Sequence, residues 1–101
     1  MNLSMLKQAQ ELKKNLDKAQ KELGKMVIDV ESGKGAVVVT INGQQKILDI
    51  KISPEVINPD KPKDLEKLIM KAISEASDKS QKMASKHLKS LTGGLKIPGL
   101  M

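Results

Sequence analysis

The stretch Val37-Val38-Val39-Thr40-Ile41-Asn42-Gly43 decides the fold of this 101-residue chain. Val37, Val39 and Ile41 fall on alternate positions, the period of a β-strand with one face turned to a core. Asn42-Gly43 then supplies the strongest short-range hairpin signal a sequence offers. Apolar alternation recurs on both sides, at Met26, Ile28 and Val30 before it and at Leu48, Ile50 and Ile52 after it. Together these predict an antiparallel β-meander of three short strands with Val37–Asn42 at its centre.

Loop lengths predict the pairing. A two-residue Asn42-Gly43 loop pairs Val39 with Lys46 and Val37 with Leu48. A four-residue Ser32-Gly33-Lys34-Gly35 loop pairs Val30 with Val37 and Ile28 with Val39. Both registers keep the apolar sets on one face, as a half-buried sheet requires. The other face is mostly Asp29, Glu31, Thr40, Asp49 and Lys51, interrupted by Val27, Val38 and Ile47.

Working outward, the residues before the meander read as a long helix. Met5, Ala9, Leu12, Leu16, Ala19, Leu23 and Met26 recur in steps of four and three, which makes three heptads of an apolar seam. Two alanines make the seam narrow, so ordinary packing against the sheet or a second helix is expected rather than a free coiled coil. Gly24 lies where glycine helps to end a helix. After the meander, a Pro54-to-Pro62 connector leads into a second long helix, with Pro62 suited to its first turn. Leu65, Ile69, Ala72, Ile73, Ala76, Met83, Leu88 and Leu91 supply its inward side. Thr92-Gly93-Gly94 ends that helix, and Leu95-Lys96-Ile97-Pro98-Gly99-Leu100-Met101 reads as a flexible or docked tail. The expected organisation is thus α+β: one α-β-β-β-α domain over residues 1–91 and a Gly/Pro-containing tail over 92–101.

Charge follows the helices. The net charge is +6, and its positive side chains are all lysine. Residues 1–25 carry six lysines against three acids, residues 26–53 three against three, and residues 54–91 eight against six. Lys79, Lys82, Lys86 and Lys89 share one side of the second helix after Asp78, with Ala84, Leu88 and Leu91 roughly opposite. Lys7, Lys14 and Lys21 recur one heptad apart, away from the apolar seam of the first helix. Such faces attract polyanions but have little means of reading them base by base. With no arginine there is no bidentate fork for guanine, and with no aromatic residue there is nothing to stack on unpaired bases. Duplex backbone is therefore the expected target.

Other function classes find less support. The chain has no cysteine, which fits a reducing cytosol and excludes thiolate chemistry. No apolar run approaches the ~20 residues of a membrane span, and Met1-Asn2-Leu3-Ser4 does not open a signal peptide. An amphipathic membrane-surface helix is disfavoured, because both apolar faces are needed for the core. His87 is the only histidine, so no histidine cluster holds a metal; a surface or interface role is expected for it. Ser32-Gly33-Lys34-Gly35 lacks the spacing of a phosphate-cradling loop and reads as a hairpin turn. Asp29, Glu31 and Asp49 have no nucleophile or metal partner nearby in sequence. No catalytic residue, cofactor, metal or small-molecule substrate is expected.

The stretch Lys7-Gln8-Ala9-Gln10, the central strand through Gly43 and the ending Leu95 to Met101 together resemble the bacterial YbaB/EbfC nucleoid-associated proteins, across essentially the whole chain. The chain departs from many members in lacking their Gly/Met-rich N-terminal extension. The resemblance implies a homodimer whose helices project as arms and hold DNA. It also implies a cytoplasmic bacterial protein that organises the nucleoid and influences gene expression. It does not say which lysines touch DNA; Lys7, Lys14, Lys21, Lys79, Lys82, Lys86 and Lys89 are assigned from the stripes. The competing expectation is a protein–protein adaptor of the replication or repair machinery, with Val27, Val38 and Ile47 as its working surface.

Overall fold

A computed structural model describes residues 2–91, and the expected tail over 92–101 lies outside them. The fold is α+β. Helix α1 (Leu3–Lys25) leads into strands β1 (Val27–Ser32), β2 (Val37–Asn42) and β3 (Ile47–Ile52). A 3₁₀ turn at Pro54–Val56 then precedes helix α2 (Pro62–Leu91), with Pro62 at its start as expected. The sheet is antiparallel, in the order β1-β2-β3, so Val37–Asn42 forms its centre. Asn2 caps α1, its Oδ1 accepting the Met5 N–H at 2.8 Å.

Away from a bulge after Thr40, both registers differ from the expected ones by an even number of residues, which preserves the faces of the strands. Ser32 stays in β1, and Gly33, Lys34 and Gly35 turn with φ of 63°, 58° and 85°. Val30 therefore faces Val39 and Ile28 faces Ile41. Ser32 is held in the strand because its hydroxyl donates to the Leu68 carbonyl of α2 at 2.6 Å. In the second hairpin Val39 faces Ile50 and Val37 faces Ile52. The two-residue turn does not form; Asn42 remains in β2, and its Oδ1 accepts the N–H groups of Gln44 (2.9 Å) and Lys46 (3.0 Å). The left-handed residue of this loop is Gln45, at φ 65°. A bulge after Thr40 pairs Ile47 with the buried Ile41 and leaves Leu48 without a partner across the ladder.

Gly43 owes its place to close approach, not to turn geometry. Its N–H donates to the carbonyls of Leu23 (2.9 Å) and Met26 (3.0 Å). A Cβ there would lie 2.8 Å from both Cδ2 and the carbonyl oxygen of Leu23. Gly24 likewise makes room, here for the Gln44 side chain, whose amide donates to the Gln20 carbonyl at 2.6 Å. Ser80, fully buried on α2, closes the junction by donating to the Asn42 carbonyl at 2.6 Å. The C-terminal turns of α1, the β2–β3 loop and the middle of α2 are thereby fixed to one another.

The core is Val30, Val37, Val39, Ile41, Ala72 and Ala76, with Ile28, Leu65, Leu68, Ile69 and Ile73 packed around them. Each large aliphatic side chain buried there contributes roughly 1.5–3 kcal/mol. Ala72 and Ala76 lie on the stripe of α2 that meets the sheet, and α2 covers β1 and β2 rather than β3. The inner face of β3 is consequently open, with Ile50 41% exposed and Ile47 beside it also exposed.

The expected packing of the α1 seam holds only for Ala19 and Leu23, the buried residues of that helix. Toward the N-terminus the seam is uncovered: Leu16 is 42%, Leu12 39% and Met5 57% exposed. The reason is length. Strands of six residues span ~20 Å, whereas α1, with 23 residues, runs ~35 Å and α2, with 30, ~45 Å. The helices overrun the sheet and project from it. The Cα radius of gyration is 19.1 Å, against ~13 Å for a compact domain of about 100 residues.

Candidate nucleic-acid interface

Beyond the sheet the two helices run side by side and antiparallel as an arm. His87 Nε2 lies 2.9 Å from Glu22 Oε2 across them. Further out, Leu91 meets α1 at a shallow recess lined by Asn15, Lys18, Ala19 and Glu22. His87 is thus an interface residue that ties α2 to α1, in line with the expected role.

The lysine stripes decorate this arm. Lys79, Lys82, Lys86 and Lys89 are all exposed. At 3.6 residues per turn they occupy a sector of about 80°, flanking the side on which Ala76 and Ser80 face the sheet. Lys79 stands at the root, next to Ser80, and Lys86 adjoins His87. On α1, Lys7, Lys14 and Lys21 are exposed on the side opposite Ala19 and Leu23. Lys21 adjoins Glu22, at the level where α1 and α2 touch, and Lys14 precedes the recess that receives Leu91. Lys7 lies ~10 Å further along α1, past the described end of α2. The structure therefore brings the stripes onto one arm, with Lys7 beyond the two-helix portion.

Two further lysines belong to this surface and fall outside the heptad pattern. Lys18 and Lys25 are exposed and, at 3.6 residues per turn, share the α1 side of Lys7, Lys14 and Lys21. The series Lys7, Lys14, Lys21 passes over them; they form a second series one heptad apart, offset from the first by four residues, and a helical wheel of residues 3–25 finds both.

The remaining candidates stay apart from this surface. Asp29, Thr40 and Asp49 form one cross-strand row on the face away from α2, with the Thr40 hydroxyl donating to Asp29 Oδ1 at 2.7 Å. Among the described residues no group of three or more His, Cys, Asp or Glu could hold a metal ion. Val27, Val38 and Ile47 do not form the single surface the adaptor expectation needs. Val27 pairs with Asn42, Val38 pairs with Glu31 and Lys51, and the bulge turns Ile47 to the inner face beside Ile41. Among the described residues no helix is long and apolar enough to cross a membrane.

Residues 1–95 match the model of the YbaB/EbfC DNA-binding family. A nucleoid-associated protein of Clostridium acetobutylicum is 42% identical over 97 residues, covering 96% of this chain and 87% of that protein. One from Alkaliphilus metalliredigens is 37% identical over 97 residues, covering 96% and 85%. A third, from Pelotomaculum thermopropionicum, is 41% identical over 96 residues, covering 95% and 91%. The crystal structure of an uncharacterized Helicobacter pylori protein shares the fold, with a TM-score of 0.71 at 20% identity over 94% of this chain and 97% of that one.

Proposed function

The chain belongs to the YbaB/EbfC DNA-binding family, and from that premise we propose that it binds duplex DNA as a homodimer, through lysine–phosphate contacts of low sequence preference. On this reading it organises the nucleoid in the bacterial cytoplasm and modulates gene expression. The observation that carries the proposal is the projecting two-helix arm, whose exposed cations are lysines on both helices. Lysine is a compact point charge suited to phosphate oxygens, and phosphate contacts position a protein without reading bases. Self-association is supported by the open inner face of β3, where Ile47 and Ile50 await a cover that α2 does not provide. The scattering of Val27, Val38 and Ile47 weighs against the adaptor reading.

Fluorescence anisotropy of a labelled random duplex, titrated at several salt concentrations, tests this. With about six phosphates neutralised per dimer, affinity falls ~10³-fold between about 50 and about 200 mM salt. Replacing Lys79, Lys82, Lys86 and Lys89 with glutamine weakens binding to every duplex and flattens the salt slope by roughly one for each phosphate no longer neutralised. Unchanged binding by that variant would mean that the α2 face is not the site. No binding even at low salt would sink the DNA-binding role of the isolated protein.

A further inference from the structure

Two apolar faces lie uncovered among the described residues: the outer seam of α1, at Met5, Leu12 and Leu16, and the inner face of β3, at Ile47 and Ile50. They cannot meet within one chain. The last turns of α1 are fixed by the Gly43 N–H on Leu23, the Gln44 amide on Gln20 and the Glu22–His87 contact. From that anchor α1 leads away from the sheet, in a molecule 67 Å long whose strands have six residues each.

The two faces match each other. Met5 to Leu16 rises ~17 Å along the helix, and Ile47 to Ile52 spans ~17 Å along the strand. Neither face carries a charge: the seam is Met5, Ala9, Leu12 and Leu16, and the inward residues of β3 are Ile47, Ile50 and Ile52. There is also room. Helix α2 lies over β1 and β2, and a second helix roughly 8–10 Å from it falls over β3, two strand spacings from β1.

We propose that the outer turns of α1 in one protomer dock on the inner face of β3 in a second copy, reciprocally about a two-fold axis. Met5, Leu12 and Leu16 then lie against Ile47 and Ile50. The pairing rests on the homodimer already proposed and assigns its interface. The occupant is a second copy because one symmetry operation covers all four open faces at once. Segments ~17 Å long and ~10 Å across, made twice by the axis, bury on the order of 1,000 Å², the threshold of a specific interface. Lys7 and Lys14 leave α1 on the side away from the seam. Docking therefore keeps them exposed and sets them beside the partner's α2, so that each cationic face is built from both chains.

The chain has no cysteine, so introduced thiols stand alone. The full-length protein carrying Leu12→Cys and Ile50→Cys is oxidised beside a control carrying Lys14→Cys and Ile50→Cys, whose helix thiol faces the other way. Docking links the first into disulfide-bonded dimers at least ~10-fold faster than the control. Equal rates overturn the proposal, and so does closure within a single chain, which would lay α1 on its own sheet. Dimers formed as fast by Leu12→Cys alone, or by Ile50→Cys alone, also overturn it, by placing helix on helix or sheet on sheet. Sedimentation velocity separates this interface from the homodimer itself. A parent of twice the protomer mass whose thiols fail to link removes only the interface, whereas a parent of single mass removes both. Independently, Leu12→Glu with Leu16→Glu should halve the sedimenting mass and leave β2 protected from amide exchange. A variant that keeps the double mass overturns docking.

Discussion

A methyl group at position 43 would press on both the side chain and the carbonyl oxygen of Leu23 at 2.8 Å, and backbone cannot step aside as a side-chain tip can. Gly43→Ala is therefore expected to cost about 1–3 kcal/mol, seen as a lower urea midpoint at unchanged slope. Gly24→Ala makes the informative contrast. Its nearest neighbours are atoms of the Gln44 side chain, from 3.0 Å, and alanine favours the helix by ~1 kcal/mol. Its net effect should stay within ~1 kcal/mol, and equal costs at both positions would refute the close-approach account of Gly43. The same pair shows how far residue identity is legible. Asn42-Gly43 correctly announces a hairpin after Ile41. What makes that hairpin is the Asn42 side chain accepting two backbone N–H groups and Gly43 lying against Leu23. Turn propensity describes what a backbone is free to do, and it is silent about what approaches from elsewhere in the chain.

Among the elements, the order helix, three strands, helix follows from a period of two flanked by heptads, and all five appear where the pattern puts them. Apart from Ile47, which the bulge turns inward, the strand faces match the pattern because both register differences are even. The reach of the α1 seam is not legible in the same way, since periodicity reports that a helix has an apolar side and not what stands opposite it. Of the candidate interface, the heptad lysines are legible. Lys18 and Lys25 form a second series one heptad apart, four residues after Lys14 and Lys21, and following the Lys7, Lys14, Lys21 series alone passes over them. The arm also has a testable fastening. Glu22 and His87 join its helices beyond the core, and Glu22 is 42% exposed at its side chain. Glu22→Ala should change global stability by less than ~1 kcal/mol, yet lower amide-exchange protection over residues 84–91, where the α2 end depends on α1. Unaltered protection there would show that packing alone holds the helices together.

At the scale of the molecule, the open inner face of β3 makes a prediction about mass. Ile50→Glu places a carboxylate on that face, while Lys51→Glu places one on the other side of the same strand. Sedimentation velocity should give twice the protomer mass for the parent and for Lys51→Glu, and the single mass for Ile50→Glu. A parent that sediments as a single chain, or an Ile50→Glu variant that stays paired, would move the self-association surface elsewhere.

Helices that overrun six-residue strands also separate two kinds of selection. Folding is decided where Val37, Val39, Ile41, Ala72 and Ala76 meet, and the outer turns of α1 contribute nothing to that cluster. Adding or deleting one heptad near the arm's tip would shift its reach by ~10 Å and leave the packing of the core intact. The stretch from Leu3 to Glu22 measures ~30 Å, close to the ~34 Å of one duplex turn. On the proposed reading, the arm is a ruler whose graduations are heptads, free to be recalibrated to the spacing of phosphates while the sheet goes on folding unchanged.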